Sequence, residues 1–350
     1  MKAAFCRYIL QFNRPATTSR AVMLDKETYF IKIWNETHPN TYGIGECALF
    51  RGLSADDVPQ YEQVLREVCR TISNLDTKTL KEFSSIRFGV ETALKDLHNG
   101  GRRIIYPTAW VEGKDSITIN GLVWMGSYDE MFARIDDKLK SGFRCVKLKV
   151  GGIDFDRELD LIKHIRTRYT SSDLELRLDA NGAFKPENAI TRLNTLAKYS
   201  IHSIEQPIKQ GQLEEMAQIC ANSPIPIALD EELIGVNSQE SKRELLEKIK
   251  PQYIILKPAL CGGLSGSEEW IKLANEHNIG WWVTSALESN VGLNAIAQWV
   301  ATLNNTMPQG LGTGQLYTNN IESPLIQEHD VLRYNPHAVW NIPQLNWIEP

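Results

Sequence analysis

No stretch of this sequence stays apolar for the roughly 20 residues that a membrane-spanning helix requires, so no transmembrane segment is expected. There is no CxxC pair, and the six cysteines (Cys6, Cys47, Cys69, Cys145, Cys220, Cys261) are too scattered for a disulfide or zinc framework. That usage predicts free thiols in a reducing compartment. An excess of positive charge is also missing: the net charge is -5, and basic pairs such as Arg102-Arg103 and Lys242-Arg243 are isolated. The balance argues against nucleic-acid or membrane-surface binding, both of which call for a basic face. At the start, MKAAFCRYILQFNR brings charge too close behind its short apolar run for a secretory leader. These absences predict a soluble cytoplasmic protein whose partner is a small molecule, with no nucleic acid and no membrane, and leave a homo-oligomer open.

What is present is a chain of 350 residues, 42% hydrophobic, long enough for one large domain and a smaller companion. The first hundred residues give strand-like runs, AAFCRYILQF and ETYFIKIWNE, then the turn-rich YGIGECALF and two helical stretches near residues 55–73 and 84–97. Strands followed by helices predict a small α+β domain, and Asn99-Gly100-Gly101 is a natural stop. From about residue 117 the pattern alternates. Short apolar runs (ITINGLVW, CVKLKV, LELRLDA, HSIEQ, IPIALD, YIILKP, GWWVTS) are separated by amphipathic stretches such as SYDEMFARIDDKLKSG and FDRELDLIKHIRTRY. Such strands suit a parallel sheet covered by helices. Seven or eight βα units of this length predict an α/β fold of the TIM-barrel type, with an open doubly wound sheet as the alternative. The expected division is an α+β domain at 1–105, the barrel at 106–315, and a segment at 316–350 that returns to the first domain.

Charged residues fall where the apolar runs end. Asp179 closes LELRLD, Glu205 closes HSIE, Asp230 closes IPIALD and Lys257 closes YIILK, at intervals of 25–27 residues. Lys147 and Lys149 are two apart in CVKLKV and so share one face of their strand. Carboxyl ends of barrel strands converge on one mouth, where barrel active sites form. Three carboxylates there are hard oxygen ligands suited to Mg²⁺, and Mn²⁺ would fit the same set. Taken singly, a strand-terminal Asp is more often a helix cap and a KxK more often a solvated face. Six such groups in matching positions are not explained that way.

The ordered series KLK, LDANG, IEQP, LDEEL and ILKP resembles the muconate-lactonizing subgroup of the enolase superfamily over essentially the whole chain. The resemblance implies an N-terminal capping domain, a modified (β/α)7β barrel, and metal ligands Asp179, Glu205 and Asp230. Glu231, beside the last of these, ranks below Asp230 because it should point away from the barrel interior. The stretches INGLVWMG, TSALESNVGLNAIAQWVA and GLGTGQLYTNN, with the loop FNRPATTSR, are similar to the o-succinylbenzoate synthase family of menaquinone biosynthesis. That likeness implies a lyase that dehydrates 2-succinyl-6-hydroxy-2,4-cyclohexadiene-1-carboxylate in a syn sense through a metal-stabilised enediolate. Lys149 would be base and then acid, Lys257 the stabilising cation opposite, and Lys147 a second cation beside the carboxylate. Asn181 would orient a ligand or substrate, Ser285 and adjacent N–H groups would take the distal carboxylate, and Thr18, Ser19 and Arg20 would close over the site. Glu288 and Trp124 are expected to be structural. An N-succinylamino acid racemase or a muconate cycloisomerase on the same scaffold would use the same lysines. A Schiff-base aldolase with Lys257 as nucleophile, or a non-catalytic binding protein, leaves the three carboxylates unexplained.

Overall fold

The computed structural model describes residues 1–17 and 22–350. Strands β1 (Lys2–Thr17), β2 (Val22–Asn35) and β3 (His38–Cys47) form an antiparallel meander with β2 in the centre. Its apolar residues alternate to both faces. Phe5, Ile31, Ile33 and Cys47 meet Leu65 and Val68 of α1 (Tyr61–Thr71) and Ile86 and Val90 of α2 (Ser84–His98). Helix α2 lies directly on β3 because glycines line the contact: a Cβ on Gly43 would stand 1.9 Å from the Ala93 carbonyl oxygen, well inside van der Waals distance. The opposite face carries Cys6, Phe30 and Ile44, covered by Trp340, Ile342, Leu345 and Trp347 from the end of the chain.

After β4 (Ile117–Thr118), seven parallel strands follow in sequence order with helices between them. They are β5 (Gly121–Val123), β6 (Cys145–Lys149), β7 (Glu175–Asp179), β8 (Ser203–Glu205), β9 (Ile227–Leu229), β10 (Tyr253–Leu256) and β11 (Gly280–Val283). The helices are α3 (Tyr128–Lys140), α4 (Phe155–Arg168), α5 (Pro186–Leu196), α6 (Leu213–Asn222), α7 (Gln239–Ile249), α8 (Gly263–Glu276) and α9 (Asn290–Val300). Gln309 and Gly310 close the ring: Gln309 bridges Ile119 and Gly310 bridges Thr284, both in the parallel sense. The result is a (β/α)7β barrel rather than an open sheet, with the main core between strands and helices.

Two features differ from the sequence-based expectation. The run ITINGLVW is divided at Asn120, because Ile117 and Thr118 pair with β13 (Val331–Tyr334) while residues 121–123 enter the barrel. The final segment also splits. Strand β12 (Leu325–Glu328) and β13 form a hairpin on β4, while residues on either side of it reach the first domain, Ile321 before it and Trp340 to Trp347 after it. There Ile348 exchanges both backbone hydrogen bonds with Phe5 on the outer edge of β1, and Tyr317 bridges Phe12 further along. All six cysteines are buried and unpaired. Among the described residues no helix is long and apolar enough to cross a membrane.

Candidate active site

The period-two geometry of β6 turns Lys147 and Lys149 into the barrel with Leu148 facing the helices, and both lysines are buried. Strand register then aligns the charges: Lys149 lies opposite Asp179 on β7, and Asp179 opposite Glu205 on β8. Asp230 and Lys257 follow the last residues of β9 and β10. Lys147 Nζ is 2.9 Å from Glu205 Oε2 and 3.2 Å from Asp179 Oδ2. Lys149 Nζ donates to Asp179 Oδ2 at 2.8 Å and to Asn181 Oδ1 at 2.6 Å. Lys257 pairs with Asp230. With β6 and β10 four strands apart in an eight-stranded ring, Lys149 and Lys257 face each other across the mouth.

Three carboxylates this close, all buried, repel one another. Burial, and then the charge of Asp179, push the Glu205 carboxyl up to about 8. Burial works the same way on Asp179, but the Lys149 and Lys147 ammonium groups overcome it and hold that carboxyl below its ordinary range. Lys147 and Lys257 are raised despite burial, by Glu205 and Asp179 in one case and Asp230 and Glu205 in the other. Among the described residues no three acidic side chains enclose a common point as they stand; ammonium groups lie against them. The donor chemistry still fits a hard divalent cation. Glu205 Oε1 is buried without a hydrogen-bond partner among the described residues, an arrangement that is costly unless a cation satisfies the oxygen.

These groups open onto a cavity of about 350 Å³ between barrel and first domain. The barrel contributes Lys147, Lys149, Asp179, Asn181, Lys257, Trp124 and the 284–287 turn, and the first domain contributes Met23, Phe50, Arg51, Gly52 and Leu53. Asn181 sits at φ +45° and passes its amide to Glu231 Oε1 at 3.0 Å. Glu231 is therefore turned towards the cavity, contrary to the expectation that it points away. The 3-10 turn at Glu231–Leu233 breaks the strand alternation that this expectation assumed. Ser285 is on the wall, with its hydroxyl donated to Glu288 Oε2 at 2.5 Å; the Ala286 N–H goes to the same oxygen at 2.8 Å. Thr18, Ser19 and Arg20 lie outside the described residues. The sequence did not single out Arg51, Asn120 or Thr313, which reach the wall from separate segments with no shared local pattern.

Comparison with known proteins follows the same lines. Residues 130–337 match the family described as Enolase C-terminal domain-like. An o-succinylbenzoate synthase of Desulfotalea psychrophila is 44% identical, with 95% of this chain and 98% of that protein aligned. The crystal structure of MenC from Desulfotalea psychrophila LSv54 matches with a TM-score of 0.84 at 41% identity, over 95% of this chain and 99% of that one. An L-Ala-D/L-Glu epimerase of Bacillus subtilis is 29% identical, over 85% of this chain and 84% of that protein.

Proposed function

This chain belongs to the enolase superfamily, and from that premise we propose that it is an o-succinylbenzoate synthase, a lyase of menaquinone biosynthesis. The observation that carries the reading is the facing pair Lys149 and Lys257 around three buried strand-end carboxylates. A proton α to a carboxylate is a very weak acid, because its loss puts a second negative charge on the group. Asp179, Glu205 and Asp230 would hold a Mg²⁺ ion, or Mn²⁺ of similar hardness, that would supply the counter-charge; a Lys or His base with Mg²⁺ is the general device of this superfamily.

The protein's own groups do the rest. Lys149, held by Asn181 and Asp179 and entering the reaction as its neutral amine, takes the α-proton of 2-succinyl-6-hydroxy-2,4-cyclohexadiene-1-carboxylate. The same ammonium returns a proton to the departing hydroxyl on that face. Water leaves, the ring becomes aromatic, and the base is regenerated. Lys257 stays protonated and stabilises the anionic oxygen from the opposite side. Lys147 neutralises the substrate carboxylate. The apolar wall of Leu122, Trp124 and Leu260 excludes water from the ring.

The 285–287 turn favours this reading over a peptide epimerase. A peptide ammonium needs an exposed acid, and the acid that follows that turn, Glu288, is fully buried with its carboxylate bonded to Ser285. The test is loss of the diene's ultraviolet absorbance with purified protein and Mg²⁺. Turnover is expected to stop with EDTA, and Lys149→Ala to lower the rate about 10²- to 10⁴-fold. A folded wild type that leaves the diene untouched would defeat the proposal. Solvent-deuterium exchange into N-succinylamino acids would then test the racemase alternative.

A further inference from the structure

Most hydroxyl donors on the cavity wall are already committed inside the protein. Besides Ser285, Thr313 donates its hydroxyl to Ser285 Oγ at 2.9 Å, and Thr284 donates to the Gly310 carbonyl at 3.0 Å. The Leu287 N–H is taken by Ser285 Oγ at 2.9 Å. The seat that Ser285 and Ala286 would offer an anion is thus filled by the protein's own Glu288 carboxylate. Apart from the three lysines that face the carboxylates, one cation lines the cavity among the described residues: Arg51, on the first domain.

Arg51 is held as a fixed fork. Its Nε donates to Glu27 Oε1 at 3.1 Å, its Nη1 to Asp57 Oδ1 at 2.6 Å, and its Nη2 also pairs with Glu27. Both carboxylates are themselves anchored. Glu27 accepts from Arg7 Nε at 2.6 Å and from the Tyr29 hydroxyl at 3.2 Å, and Asp57 accepts the Gly52 N–H at 2.7 Å. A guanidinium has five N–H donors, and the described residues take three of them, so among the described residues two remain for a ligand in an orientation set before it arrives. Two guanidiniums, Arg7 and Arg51, match the two carboxylates, and an incoming anion meets no net negative charge. Met23, Phe50 and Leu53 beside Arg51 form an apolar sleeve for a short carbon chain.

Resting on the function proposed above, in which one substrate carboxylate sits among the lysines, we propose that Arg51 seats the second, distal carboxylate and selects dicarboxylate substrates. A planar fork suits a carboxylate through two parallel N–H bonds, which a hydroxyl wall cannot replace.

The test compares calorimetric binding of two ligands in the presence of Mg²⁺: o-succinylbenzoate, and the same molecule with its succinyl carboxylate converted to a primary amide. Arg51→Gln is expected to weaken the dicarboxylate about ten- to a hundredfold while moving the amide by less than about twofold. Arg51→Lys should fall between, keeping the charge and losing the fork. Equal losses for both ligands, or no loss for the dicarboxylate, would overturn the assignment. A wild type that neither binds o-succinylbenzoate nor consumes the diene would defeat the proposed function and this inference together. Wild-type binding with an indifferent Arg51→Gln would defeat the inference alone.

Discussion

At the scale of single residues, Glu288 shows how a neighbourhood alters an acid. Burial, then repulsion from Glu46, raises its carboxyl above the ordinary 4.5, against the hydrogen bond from Ser285 and the charge of Lys26. Its Oε1 and the Lys26 Nζ are both buried without hydrogen-bond partners among the described residues. A raised acid favours the fold most below its ordinary pKa, and that contribution is lost as pH rises through the elevated value. Replacing Glu288 with Gln keeps the shape and removes the titration. In urea titrations its stability relative to wild type is expected to improve from about pH 5 to pH 8, and a pH-independent difference would count against the raised acid. The lysines and strand-end carboxylates were legible in the sequence because alternation and βα spacing both fix a strand's last inward residue. Glu231 was misread where the chain leaves the strand and the alternation no longer holds. Arg51 had no local signature at all, since its role depends on Glu27 and Asp57 folding around it.

At the scale of elements, α8 and α9 take N-terminal acceptors from another part of the chain, α9 in addition to its own Ser289, whose hydroxyl oxygen accepts the Val291 N–H at 3.1 Å. Helix α3 carries its own capping box, Ser127 with Glu130. Neither α8 nor α9 has an acid in its first turn, and α8 has Gly262 at its N-cap with no side-chain bond. Carboxylates from the first domain fill the gap. Glu91 Oε2 accepts the Leu264 N–H at 2.8 Å, and Glu46 accepts the Ser289 and Gly292 N–H groups at 3.0 Å each. Negative charge at a helix N-terminus is favourable, and removing a buried acceptor strands several donors at once. Glu46→Ala is therefore expected to cost about 3 kcal/mol, against about 1 kcal/mol for Ser127→Ala, measured by urea unfolding at neutral pH. Similar losses would mean that α9 does not depend on the borrowed carboxylate. Periodicity located α3 within SYDEMFARIDDKLKSG, but an acceptor supplied from 243 residues away is invisible to any local pattern.

At the scale of the whole molecule, those shared caps join two domains that the sequence reads as separate. The rhythm of βα units made the barrel legible, and the strand-then-helix order did the same for the first domain. The contacts between them follow only from the folded chain. Gln298 of α9, for example, accepts the Ile105 N–H at 2.7 Å and donates to the Arg103 carbonyl at 2.8 Å. Buried polar bonds of this kind leave neither part satisfied alone. Circular dichroism and tryptophan fluorescence are therefore expected to report one coincident urea transition. Separate transitions for the two domains would show that the joint is weaker than its bonds suggest.

The backbone pairing of Ile348 with Phe5 has a consequence for how the protein is made. Strand β1 is synthesised well before the residues that cover its outer edge, because Phe5 and its partner Ile348 lie, in sequence, at opposite ends of the two-domain fold. Throughout synthesis of the barrel, the nascent sheet presents an open ladder to any neighbouring chain. Safe production thus depends on how quickly the covering segment follows and on what shields that edge in the interval.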